Sequence, residues 1–225
     1  MNRNASLCTH LIVLFMAIAC HIRASDAQQI ALPEVIPQGG MSLDSALATR
    51  RSVREFAREA VSLDDVSCLL WAGQGVTNES GYRTAPSAGG LYPIDLYLFA
   101  GDVVGLDRGV YRYVPDMHTL EIVSYNDIRG ELAAAALDQE WVRDASLAII
   151  VTGVPERTYV KYGERAWRYV LIESGCVVQN ILLQSTNLHL ASVIVGAFLD
   201  DKIRPLIGLP STNHPLAIIS AGKYR

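Results

Sequence analysis

The chain has 225 residues, 50% of them hydrophobic and 19% charged, with a formal net charge of −4. That length suits one domain with a sizeable core, and the composition excludes a disordered chain. The weak acidity and the absence of any Lys/Arg run exclude an electrostatic footprint for nucleic acid.

In chain order, Arg3 precedes an apolar run from Leu11 to Ala19, followed by small and polar residues. The run is too short to cross a bilayer as a mature helix, and its layout is that of a secretory signal peptide over residues 1–27. Ser25 and Ala27 meet the small-residue requirement for cleavage after Ala27, so the mature protein is expected to be exported and periplasmic. Cys20 keeps a lipid-anchored form open as the alternative. No later stretch reads as a membrane span. Residues 28–41, rich in Pro and Gly, read as a linker or arm, and residues 42–225 as one domain. Cys68 and Cys176 sit in apolar helical patterns and read as buried free thiols. The histidines are scattered without ligand spacing, so no metal site is expected.

Ser42 suits the N-cap of a helix over Leu43–Thr49, with Asp44 favourable in its first turn. Arg50-Arg51-Ser52-Val53-Arg54-Glu55-Phe56 follows. Taken alone, its basic residues are either a solvated patch or a cradle for phosphate, which guanidinium groups bind bidentately. Ser62-Leu63-Asp64-Asp65 has the form of a capping box with Asp in place of Glu, opening a helix that Gly73 and Gly75 end.

Arg83 to Pro93 is a run of small residues and turn formers that feeds an apolar strand, Ile94–Ala100. Pro86 stiffens it, Ser87 adds a hydroxyl, Ala88 is small, and Gly89-Gly90 allow a bound group close to the backbone. Val110–Val114 and Thr119–Val123 read as a hairpin, Asp127 as the cap of a helix over Ile128–Leu137, and Ser146–Thr152 as a central strand. A long helix is expected from about Tyr159 to Thr186, apolar on nearly every face, with Asn187 as a left-handed C-cap. Buried polar residues on it, Glu173 and Asn180 among them, need partners. Lys161-Tyr162 near its start is either a surface pair with the Lys stem lying on apolar surface or a functional pair. Leu190–Phe198 reads as a strand, Asp200–Ile207 as a short helix closed by Gly208, and Pro215–Ala221 as the last strand.

Four of these stretches, in this order, resemble the nitroreductase family in its SagB-type dehydrogenase branch. They are Arg-Arg-Ser-x-Arg-x-Phe at 50–56, Pro-Ser-Ala-Gly-Gly-Leu-Tyr-Pro at 86–93, Arg-Tyr-x-x-x-Glu-x-Gly-x-x-x-Gln-Asn at 168–180, and Val-Gly-Ala-Phe at 195–198. The resemblance implies an α+β nitroreductase-like fold, with a central, mostly antiparallel sheet flanked by helices. It also implies a homodimer with two FMN at the interface and Ala166–Thr186 forming much of the contact. Arg50, Arg51, Ser52 and Arg54 become FMN contacts, with Lys223 or Arg225 reaching the phosphate. Pro86, Ser87, Ala88, Gly89 and Gly90 form the flavin loop, while Val195, Gly196 and Ala197 lay backbone against the ring. Lys161 and Tyr162 match a pair that handles protons in the branch oxidising azoline rings in peptides.

This chain departs from the pattern with Cys176 where a His is common, and Gly90 where many simple nitroreductases carry Asn. The implied activity is an FMN-dependent oxidoreductase acting on a small molecule or peptide. An NAD(P)H-fed nitro or quinone reductase, or a flavin- or ligand-binding module without turnover, are the alternatives.

Overall fold

A continuous apolar run is stable as a strand only where both its faces are covered, and Leu147–Gly153 is buried along its whole length. The computed structural model describes residues 29–36 and 39–225. The expected leader, with its cleavage after Ala27, lies outside the described residues. The strands are β1 (Gln29–Ala31), β2 (Val61–Ser62), β3 (Ile94–Ala100), β4 (Val103–Val104), β5 (Gly109–Val114), β6 (Thr119–Ser124), β7 (Leu147–Gly153), β8 (Leu190–Val195) and β9 (His214–Lys223). The helices are α1 (Leu43–Thr49), α2 (Leu63–Gln74), α3 (Arg129–Ala135), α4 (Glu140–Asp144), α5 (Pro155–Tyr162), α6 (Ala166–Asn187) and α7 (Asp200–Leu206).

Seven strands form one sheet in the order β1-β6-β5-β3-β7-β9-β8, and its neighbouring strands pair antiparallel. β2 and β4 form a short parallel pair apart from it. The period-two alternation along β7 divides the core between the two faces. Leu147, Ile149 and Val151 pack with Leu69 of α2 and with Val170, Val177 and Ile181 of α6. Ala148 and Ile150 pack on the other face with Leu132 of α3, Val142 of α4 and Ile203 of α7. The fold is therefore α+β, an antiparallel sheet flanked by helices, as expected.

The local signals hold well. α1 spans Leu43–Thr49 behind the Ser42 cap, whose side chain accepts from the Ser45 amide. The capping box works with Asp: Ser62 Oγ accepts from Asp65 N at 3.0 Å, and Asp65 Oδ2 accepts from Ser62 N at 3.1 Å.

Five expectations change. Residues 29–31, within the stretch read as linker or arm, form an edge strand on Thr119–Glu121 of β6. The long helix is broken: α5 ends at Tyr162, Gly163 turns the chain at φ +54°, and α6 starts at Ala166. Asn187 is still helical, and His189 takes the left-handed conformation instead, while Asn187 Oδ1 accepts from Met41 N at 2.7 Å. The helix after Asp127 stops at Ala135, before the left-handed residues Leu137 and Asp138, and Asp127 pairs with the Arg129 guanidinium at 2.8 Å besides accepting from its amide. β8 ends at Val195, so Gly196–Leu199 leaves the sheet, and Leu199 N donates to Ala135 O.

Among the described residues no helix is long and apolar enough to cross a membrane, and no cluster of His, Cys, Asp and Glu could hold a metal. Cys68 and Cys176 are free and half-buried.

Candidate active site

The Pro86–Gly90 loop folds so that Gly89 and Gly90 have φ of +65° and +67°, values that suit residues without a Cβ. It then enters β3 through Tyr92 and Pro93. α5 is brought to the same place by Arg157, whose guanidinium makes two 2.8 Å bonds to the Asp95 carboxylate and a third, at 3.0 Å, to Tyr92 O. A paired, forked contact of this kind fixes direction as well as distance.

The break at Gly163 leaves Lys161 and Tyr162 in the last turn of α5. Both side-chain heads converge on Gly89: a Cβ built there would lie 2.8 Å from Lys161 Nζ and 3.0 Å from Tyr162 Oη. Tyr162 is held by Tyr169, with ring centroids 4.7 Å apart. Residues distant in sequence thus put an ammonium and a phenol over an open stretch of glycine backbone.

Glu173 belongs to this group, although sequence reasoning gave it no site role, marking it as a polar residue needing a partner and as the Glu of the stretch at 168–180. It is 5% exposed, and its Oε1 accepts from Ala88 N at 2.7 Å. Burial pushes its carboxyl above the usual range, and bonds from the Ala88 amide and the Ser87 hydroxyl partly offset that. The signal that could have found it was a carboxylate among Val170, Val177 and Ile181, on the buried side of a helix.

The basic segment lies elsewhere. Arg50 and Ser52 line a hollow of about 400 Å³ with Leu171, Gly175 and Val178 of α6 and Ile194 of β8. The hollow is set by the sheet edge, where Ser52 bridges Ser192 and Val53 N donates to Ser192 O at 3.0 Å. The Arg50 guanidinium has no hydrogen-bond or ion-pair partner among the described residues, whereas Arg51 donates to Ala48 O and Arg50 O at the end of α1. Arg54 lies over the Trp141 ring. Lys223 Nζ is paired with Asp65 Oδ2 at 3.1 Å, and Arg225 with Glu55 at 3.4 Å. Arg225 also lines a separate charged cleft of about 810 Å³ with Arg58, Asp102, Arg129 and Arg143. At the end of β8, Val195 is buried while Gly196 and Ala197 are exposed, and nothing lies within 4 Å of a Cβ built on Gly196.

The expected site residues therefore fall into two main groups on α6. At about 100° per residue, Leu171, Gly175 and Val178 occupy one flank and meet Arg50 and Ser52. Glu173 and Asn180 occupy the opposite flank and hold Ala88 and Thr84. Ile172, between the flanks, stands 57% exposed, and the adjoining Leu171 on the first flank 54%.

The antiparallel sheet flanked by helices is the nitroreductase-like fold of a superfamily of oxidoreductases. The chain belongs to the nitroreductase family, whose model matches residues 47–223. It is 39% identical to a Methanocaldococcus jannaschii protein that carries the name nitroreductase, over 88% of this chain and 98% of that one. The microcin B17-processing protein of Escherichia coli is 26% identical over 56% of this chain, and the match spans about half, 48%, of that protein's length. Among solved structures, a Ralstonia eutropha protein described as a nitroreductase superposes with a TM-score of 0.77 at 27% identity, covering 89% of this chain and 91% of that one.

Proposed function

We propose that this protein is an FMN-dependent dehydrogenase of SagB type, passing hydride between its substrate and the flavin, with an azoline ring in a peptide as the substrate class. The observation that carries the reading is the convergence of Lys161 Nζ and Tyr162 Oη on Gly89. A module that only held a ligand would not require an acid–base pair there.

The residues present fit FMN. Arg50, unpartnered beside Ser52, suits a phosphate, and the open space at Gly90 and Gly196 leaves room for a flat ring against backbone. Bound FMN would supply the hydride chemistry, and the chain supplies orientation, electrostatics and proton transfer. In this reading Tyr162 Oη exchanges the substrate proton, and the Lys161 side chain stands with it over Gly89. Two copies complete the site. The placement of Arg50 and the Gly89 loop on opposite flanks of α6 supports this, as does the exposed apolar ridge between them. A partner's loop can then face this chain's basic hollow.

The visible spectrum of purified protein, with its mass in solution, tests the reading: a yellow dimer carrying two FMN is expected, and protein that stays colourless and leaves added FMN fluorescence unquenched overturns it. Anaerobic reduction then separates the activities, with a thiazoline-containing peptide expected to bleach the flavin. Bleaching by NAD(P)H alone would favour a nitro or quinone reductase, the reading that the M. jannaschii relative supports. Bleaching by neither would leave a binding module.

The leader motivates a further proposal, that the protein works in the periplasm. Intact mass after expression in a secreting host should correspond to cleavage after Ala27. Retention of Met1 in the cytosol would refute export, and a lipid adduct on Cys20 would replace the soluble form by the anchored one.

A further inference from the structure

We propose that Glu173 is a positioning residue for the Lys161–Tyr162 site: from the flank of α6 its carboxylate grips the Ala88 amide, and that grip fixes the adjoining Gly89 beneath the two side chains. The inference rests on the reading of Lys161 and Tyr162 as the reacting pair.

Gly89 and Gly90 are the residues with the widest backbone freedom, and the loop's own bonds around them both return to Ser87, from Gly90 N at 3.1 Å to its carbonyl and from Tyr92 N to its hydroxyl. Anchors from α6 supply the rest. Ala88 N donates to Glu173 Oε1 at 2.7 Å, and about two turns further along α6 Asn180 Nδ2 donates to Thr84 O at 3.3 Å. Ser87, the residue before the anchored Ala88, accepts from Tyr92 N with its hydroxyl at 2.8 Å, so the anchored stretch is tied on to the root of β3.

The stability cost points the same way. Glu173 is 5% exposed and has no cationic partner within ion-pair distance among the described residues. Burying an uncompensated carboxylate is expensive, and an apolar side chain among Val170, Val177 and Ile181 would pack at lower cost. What an apolar side chain could not do is accept from the Ala88 amide.

The proposal makes the acceptor at the right reach the required property, rather than the charge. Glu173→Gln keeps an oxygen at the same length, Glu173→Asp keeps the charge but withdraws it by one methylene, and Glu173→Leu removes the acceptor. The measurements are amide hydrogen exchange at Ala88–Gly90 in FMN-free protein, FMN affinity by fluorescence quenching, and the rate of anaerobic flavin reduction by the thiazoline peptide. Glu173→Gln is expected to stay within about threefold of wild type in all three. Glu173→Asp and Glu173→Leu are expected to exchange the loop amides at least tenfold faster, and to slow reduction by about 10–100-fold.

Unchanged loop exchange in Glu173→Asp and Glu173→Leu overturns the proposal, as does a Glu173→Gln variant as impaired as Glu173→Leu. Should Glu173→Leu fail to fold, the Asp and Gln pair still decides. Loop exchange in unloaded protein is read without turnover, so a failure of the catalytic reading would appear in the Lys161 and Tyr162 variants and leave this result standing.

Discussion

Tyr162→Phe is expected to retain FMN and to lose turnover by about 10²–10⁴-fold, the usual contribution of a general acid–base group. The phenyl ring keeps its packing on Tyr169 at 4.7 Å between centroids, so the change deletes the hydroxyl without disturbing the end of α5. Lys161→Ala should act in the same direction. Because Nζ and Oη meet at one point over Gly89, the double change should cost less than the product of the two single losses. Anaerobic reduction of the flavin by the thiazoline peptide, followed by absorbance, measures all three variants. If both single variants reduce as fast as wild type, the pair is structural and the catalytic reading fails.

Arg50→Ala is expected to weaken FMN binding by roughly tenfold to a hundredfold, since a hydrogen bond to a charged group is worth about 1.5–3 kcal/mol. The contrast with its neighbour is the informative part. Arg51 already donates to Ala48 O and Arg50 O at the C-terminus of α1, where a cation also meets the negative end of the helix dipole. Arg51→Ala should therefore change affinity by less than about threefold while loosening that helix end. Fluorescence quenching titrations of both variants check this. Equal losses would mean that Arg51 leaves its carbonyls to reach the phosphate, and no loss in either would remove the hollow beside Ser52 as the phosphate site.

Reading the chain without its fold recovered most of the local structure. Ser42, the Ser62–Asp65 box, the turn at Pro115–His118 and the apolar run of β7 each announce an element through interactions within a few residues. At two of the places where the reading failed, the deciding residue acted locally but gave no clear signal in the sequence. Gly163 lies within the span read as one helix and instead ends one, taking φ +54°. His189, not Asn187, adopts the left-handed turn after α6.

The sequence by itself determined that this is an α+β domain, that Gly89-Gly90 precede a strand, and that Arg50, Ser52, Lys161 and Tyr162 are available to a site. Periodicity tells which residues share a face, but not what that face meets. Only the tertiary structure brought Lys161 and Tyr162 over Gly89, because Arg157 ties α5 to Asp95 across the sheet end. It alone turned Glu173 from a misplaced charge into the anchor of Ala88, and drew Lys223 to Asp65. It also set the basic hollow and the glycine loop on opposite flanks of α6. These are long-range contacts, selected by how the sheet and helices bury their apolar faces together, and no local pattern encodes them.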